Sequence, residues 1–251
     1  PGRVEAAQHE VCSAAPNSTV TTAVADLALL HDARKLADRV ERSVPRLDVL
    51  IHNAGALTRD LQCTQDGLEV TAQVHVVAPF LLTAALLPTL RATAGSRVIT
   101  VSSGGMYTQR LDVDALERPA VPFDGLRAYA NAKRAQVVLN ELWPSRCAAS
   151  GVVFQAMHPG WADTPGVRAS LPRFHALTAP LLRTPTQGAD TMVWLATDPC
   201  ALETNGRFWL DRRARSTSRL PRTRTSAADA ERCWDWCVDR AGVDAMLGGT
   251  Q

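Results

Sequence analysis

Tyr129 and Lys133 are the two residues of this sequence whose types and spacing most directly suggest chemistry. Four positions apart on a helix, they share one face. A phenol ordinarily titrates near about 10, and a neighbouring ammonium favours the phenolate. The pair therefore predicts a tyrosine able to exchange a proton with an oxygen atom nearer neutral pH. Ser103, at the end of a predicted strand, is the candidate to hydrogen-bond the reacting oxygen, with Ser102 as the alternative. Proton transfer at an alcohol or carbonyl oxygen goes with hydride transfer at its carbon. No side chain supplies hydride, so the carrier must be a cofactor. Tyr-x-x-x-Lys by itself also fits a solvated helix face, so its meaning depends on the elements around it.

Those elements alternate. Residues 19–25 are weakly alternating and β-rich, and lead into Asp26-Leu27. From Asp32, a plausible N-cap, Leu36, Val40 and Val44 recur at helical spacing. Residues 47–51 form a short apolar strand running into Asn53-Ala54-Gly55, and a long helix is expected over 67–90. A strand at 97–101 ends at Ser102-Ser103-Gly104-Gly105; a helix at 127–143 carries Tyr129 and Lys133; a strand at 152–157 ends at His158-Pro159-Gly160. A helix over 187–196 and a last strand over 207–210 follow. Alternating strands and helices predict an α/β fold with a parallel sheet covered on both faces. Ligands then bind beyond the strands' carboxyl ends, where Asn53-Ala54-Gly55, Ser102-Ser103 and Pro159-Gly160 all lie.

The order Asp26-Leu27, Asn53-Ala54-Gly55, Ser102-Ser103, Tyr129-x-x-x-Lys133, Pro159-Gly160 resembles the short-chain dehydrogenase/reductase superfamily. The runs from Arg97 to Met106 and from His158 to Val167, with Gln187-Gly188-Ala189-Asp190-Thr191-Met192 and Gly206-Arg207-Phe208, resemble its dehydrogenase/reductase SDR family member 12 group. The resemblance implies a Rossmann-like doubly wound parallel sheet and NADP or NAD as cofactor. It implies Tyr129 as general acid/base, Lys133 lowering its pKa and contacting the nicotinamide ribose, and Ser103 orienting the substrate oxygen. Asp26 would sit near the adenine, Asn53, Ala54 and Gly55 would line the cofactor cleft, and Pro159, Gly160 and Thr164 would flank the nicotinamide. Residues 161–185 would form an apolar lid bearing Leu171, Phe174, Leu177, Leu181 and Leu182, suited to a small lipophilic alcohol or carbonyl. Residues 1–225 then read as an incomplete Rossmann domain and 226–251 as a C-terminal helical tail.

Two departures stand out. The family opens on a strand and a Thr-Gly-x-x-x-Gly-x-Gly loop that holds the cofactor's pyrophosphate on backbone amides and a helix N-terminus. Before Asp26 the only glycine is Gly2. That opening strand is normally central, so its two neighbours would expose unpaired backbone groups unless the sheet closes differently. The first residues, Pro1-Gly2-Arg3-Val4-Glu5, read as the interior of a longer protein. In the second departure, His75 stands where the family usually has an Asn that helps relay protons to the lysine, and His52 replaces another frequent Asn.

Composition bounds the alternatives. The chain has 251 residues, 46% hydrophobic and 21% charged, with a formal net charge of +2. That is a globular composition with no overall field toward nucleic acid or membrane. The six cysteines are scattered and read as reduced thiols of an intracellular, cytoplasmic protein; no metal site is expected. The apolar stretch 74–90, interrupted by Pro79 and Pro88, reads as a core helix rather than a membrane span. Seven arginines from Arg207 to Arg224 read as a solvated tail, or else as a binder of RNA or an anionic surface. The stretch after Ala227, with Trp234 and Trp236, is expected over the substrate cleft or against a second subunit. An inactive isoform acting as an interaction protein is the competing functional reading, and oligomeric state is left open.

Overall fold

The computed structural model describes residues 2–147, 151–161 and 182–247. Its centre is a five-stranded sheet in the order β1 (Val49–His52), β2 (Arg97–Val101), β3 (Val153–Met157), β4 (Arg207–Leu210) and β5 (Arg213–Ala214). The first four strands are parallel and β5 is antiparallel to β4. Neighbouring residues along a strand point to opposite faces, and both faces are covered. Val98 and Phe154 belong to the main core, while Ile99, Met157 and Trp209 pack against Leu195 on the opposite side.

The main core lies between the sheet and a helical layer: α2 (Leu30–Ser43), α3 (Val70–Arg91) and α5 (Gly125–Arg146). Helix α6 (Pro185–Thr197) covers the other face. Helix α3 is long and apolar enough to cross a bilayer, and most of that stretch is buried inside the fold, as expected of a core helix. Helices α1 (Gly2–Ala14) and α4 (Val113–Glu117) complete the helical set up to α7 (Ala227–Ala241). Helix α7 does not lie over the expected cleft. Trp234 packs on Phe80 and Trp143, with ring centroids 5.0 and 4.7 Å apart, and Cys233 and Cys237 are fully buried in the main core.

The β-rich residues 19–25 form no strand; the chain there is irregular. A strand needs a partner for its backbone groups, and the sheet offers this segment none. Among the described residues β1 therefore ends one side of the sheet, with Ile51 39% exposed, while the short β5 ends the other. Asp32 is not the N-cap of α2. Leu29 holds that position, and the amide of Leu30 is instead capped from a distance by the Asp66 carboxylate (2.9 Å). The same carboxylate accepts from Gln73 Nε2 (2.9 Å), which ties the start of α2 to the start of α3.

Candidate active site

Helix α5 carries Tyr129 and Lys133, and its start is fixed twice. The Asp124 carboxylate caps it, accepting from the amides of Leu126 (3.0 Å) and Arg127 (3.1 Å). Gly125 then passes so close to the loop after β1 that a Cβ there would stand 1.9 Å from the Thr58 carbonyl oxygen. One turn on, Asn131 exchanges hydrogen bonds with the backbone of Asp112 (3.0 and 2.8 Å). These contacts set the rotation of α5, so that Tyr129 and Lys133 face the carboxyl end of the sheet.

The two serines after β2 divide their work. Ser102 is buried; its hydroxyl donates to the Lys133 carbonyl (2.8 Å) and its amide to Met157 O (2.7 Å), which joins β2 to α5 and β3. Ser103 begins the turn over Gly104–Thr108, and its Oγ accepts from the Gly105 amide (3.2 Å). Ser103, not Ser102, is the serine whose hydroxyl acts on Tyr129, lowering its pKa.

The electrostatics differ from the expectation. Burial raises the pKa of Tyr129 above its ordinary value and outweighs the lowering by Ser103. Lys133 does not draw the phenol down. Its Nζ donates to Val101 O (2.9 Å) and lies 5.6 Å from the Tyr129 ring centroid. Only 4% exposed, it has its own pKa pushed down to about 7 by desolvation. Near neutral pH Tyr129 is thus a protonated phenol, poised as an acid.

His75 is the residue whose role at this site was least legible in advance. It sits in a π-helical turn, Gln73–Val77, at the start of α3, a local form that often accompanies function. Its ring meets Tyr129 edge-on at 5.3 Å, and its Nε2 lies 2.8 Å from Ala56 O and 3.1 Å from Ala56 N. A Cβ on Gly55 would come within 2.7 Å of that ring, so the glycine lets the two segments touch. Burial first, then the charge of Lys133, keeps the imidazole neutral, with a pKa well below its ordinary value.

The other expected site residues fall in three groups. Asn53, Ala54 and Gly55 are exposed at the end of β1, beside His75. Pro159 and Gly160 follow β3; Gly160 has φ +76°, where a side chain is strained, and a Cβ would stand 2.8 Å from the Arg183 guanidinium. Asp26 is exposed, and its carboxylate accepts from Ala28 N (2.9 Å) in the turn before α2. Among the described residues no hydrogen bond joins Asp26 to residues 53–55. Thr164 and the lid residues Leu171, Phe174, Leu177 and Leu181 lie outside the described residues. A cleft of about 700 Å³ lies elsewhere, between α4, the loop before α5 and α7, and touches none of Ser103, Tyr129 and Lys133. Among the described residues no group of side chains could hold a metal ion.

A nicotinamide cofactor fits these residues at one end. Lys133 Nζ spends one of its three donors on Val101 O, which leaves two for a ribose diol beside Tyr129. Residues 53–55 are exposed at the end of β1, on the side of the sheet where the cofactor would lie. The residues before Asp26 supply no glycine-rich cradle for a pyrophosphate.

Comparison with known proteins agrees with this geometry. The sequence model of the short chain dehydrogenase family matches residues 2–173. Dehydrogenase/reductase SDR family member 12 of Bos taurus is 41% identical over 230 residues, covering 91% of this chain and 71% of that protein. Retinol dehydrogenase 13 of Homo sapiens is 34% identical over 162 residues, 64% of this chain and 49% of that one. Among solved structures, the Pseudomonas aeruginosa RhlG/NADP active-site complex superposes with a TM-score of 0.63 at 22% identity, covering 81% of this chain and 80% of that one, a likeness of fold. The chain belongs to the short chain dehydrogenase family of NAD(P)-dependent oxidoreductases.

Proposed function

We propose that this chain interconverts a lipophilic carbonyl and its alcohol, with the reduction direction favoured by the state of Tyr129. What supports the reading is Tyr129 beside Ser103, its pKa raised above the ordinary value by burial, with the buried Lys133 Nζ 5.6 Å from its ring centroid. In this reading Ser103 and Tyr129 both meet the substrate oxygen. Tyr129 gives its proton to that oxygen as negative charge develops on it, and Ser103 holds the oxygen in line. Lys133, with Asn53, Ala54, Gly55, Pro159 and Gly160, would hold the nicotinamide end of NADP or NAD, which supplies the hydride when bound. Thr164 and Asp26 keep the cofactor-binding roles that the family pattern implies. A relative named retinol dehydrogenase supports a lipophilic substrate class.

The test is turnover by the purified protein with NADPH or NADH across a panel of aliphatic and aromatic aldehydes and ketones. Wild-type turnover that Tyr129→Phe abolishes supports the proposal. No turnover with any carbonyl, or turnover untouched by Tyr129→Phe, overturns it.

A second reading, a protein that keeps the fold for interaction without catalysis, is favoured by one observation. Lys133 donates to Val101 O and does not activate Tyr129. Titration with NADPH, followed by nicotinamide fluorescence, separates the two: saturable binding speaks against the second reading.

A further inference from the structure

Six of the seven arginines between Arg207 and Arg224 are exposed and Arg215 is half-buried, but several are tied to the fold. Arg212 pairs with Asp190, Arg183 pairs with Asp211 (2.6 Å), and Arg219 lies 4.6 Å over the Tyr107 ring. The amide of Arg215 donates to Phe208 O (2.7 Å), and its buried Nε has no partner. Phe208 and Tyr107, which Arg215 and Arg219 touch, both pack on one residue, His158.

His158 directly follows β3 and is 8% exposed. Its ring stacks on Phe208 at 5.5 Å, meets Tyr107 edge-on at 6.4 Å, and lies 3.6 Å from where a Cβ on Gly104 would stand. Nδ1 accepts from the Gly160 amide (3.2 Å). A neutral imidazole with an accepting Nδ1 carries its proton on Nε2. That N–H is buried and has no acceptor among the described residues. Burial first, then the charges of Arg183, Arg219 and Arg215, push the His158 pKa down to about 4 against the single opposing carboxylate, Asp211. Arg183 already matches Asp211, so among the described residues the buried His158 Nε2–H and Arg215 Nε remain without an acceptor, with the exposed Arg219 guanidinium over Tyr107 near them.

A buried donor left unmade is costly. Every unspent group here is a donor, so the complementary ligand group is one that only accepts, and the positive surroundings ask for an anion. The cluster stands at the carboxyl end of the sheet, one residue from Ser103 by way of Gly104. Apolar side chains flank it: Trp161, whose carbonyl accepts from the Arg183 amide (2.7 Å), is 54% exposed, and Leu220, next to Arg219, is 42% exposed. We propose that His158, Arg215 and Arg219 bind a carboxylate on the substrate, so that the chain acts on a lipophilic oxo- or hydroxy-acid rather than on a neutral carbonyl. This rests on the oxidoreductase reading above and names its substrate class.

The test is calorimetric titration of the 251-residue chain with octanoate, octan-1-ol and inorganic phosphate, without turnover. Octanoate is expected to bind saturably and the alcohol and phosphate far more weakly. Loss of one charge-assisted contact in Arg219→Gln should weaken octanoate about tenfold. Arg219 is exposed, so this variant should keep its fold, and a melting curve checks it; Arg215→Lys, which keeps the charge but loses the Nε donor, gives a second measure. The inference is overturned by equal affinity for acid and alcohol, by phosphate binding as tightly as octanoate, or by an unchanged affinity in both folded variants. Loss of acid preference with NADPH-dependent reduction of neutral carbonyls intact removes this inference alone. Octanoate binding that depends on Arg219, without any turnover, upholds the anion site and removes the oxidoreductase reading alone.

Discussion

The side-chain amide of Gln136 donates to the backbone carbonyl of His75 at 2.8 Å, doing for α3 what the helix cannot do for itself. In an α-helix that carbonyl would accept from the amide four residues on, but residue 79 is proline and has no N–H. The helix opens into a π turn there, and α5 supplies the missing donor. The contact fixes α3 against α5 at the level of Tyr129.

Replacing Gln136 with Leu leaves the His75 carbonyl buried and unpaired, and should cost about 1–3 kcal/mol of unfolding free energy. In a Pro79→Ala background the restored amide can serve that carbonyl, so the Gln136→Leu loss should shrink. Urea denaturation of the four proteins of the cycle measures the coupling; full additivity would mean that Pro79 is not the reason Gln136 is needed.

Gly125→Ala places a methyl group against the Thr58 carbonyl and forces the start of α5 away from the loop after β1. Overpacking of this kind costs about 1–3 kcal/mol. The expected result is a lower melting temperature together with a fall in carbonyl reduction, since Tyr129 moves with the helix. An unchanged melting temperature would show that the loop yields freely.

His52 and His158 each have a pKa lowered to about 4, chiefly by burial. In the unfolded chain both return to about 6.5. The unfolded state therefore binds more protons between these values, so stability is full above pH 6.5 and is lost as pH falls toward 4. Urea midpoints measured at pH 7.5, 5.5 and 4.5 should decrease in that order. His52→Asn, which removes one titrating group beside Thr83, should flatten the decline; an equally steep decline would exclude His52 as a source.

For carbonyl reduction the pH profile should carry two features. Deprotonation of Tyr129 limits the rate only above pH 10, because burial raises its pKa from that ordinary value. Lys133, pushed down to about 7, should lose its charge in the neutral range, so kcat/KM falls as pH rises through that value. Lys133→Met should remove the neutral inflection along with most of the activity. A profile flat from pH 6 to 9 in the wild type would show that the ammonium has no part in the reaction.

The sequence by itself determined the fold class and the chemistry. Short apolar strands before Asn53, Ser102 and Pro159 can be buried on both faces only in a parallel α/β sheet, and four-residue spacing puts Tyr129 and Lys133 on one helical face in any such fold. These are local properties of pattern and period. What the tertiary structure alone decided depends on which groups meet across the chain. It spent the Ser102 side chain on the Lys133 carbonyl, leaving Ser103 as the serine that acts on Tyr129. It raised Tyr129 instead of lowering it, because desolvation and the Val101 carbonyl act on the pair in ways that spacing does not encode. It left residues 19–25 without a strand, since β pairing is a property of neighbours and not of the segment. It moved α7 onto Phe80 and Trp143 and brought Arg215 and Arg219 onto the Phe208 and Tyr107 that pack on His158, contacts between residues far apart in the chain that charge composition alone could not place.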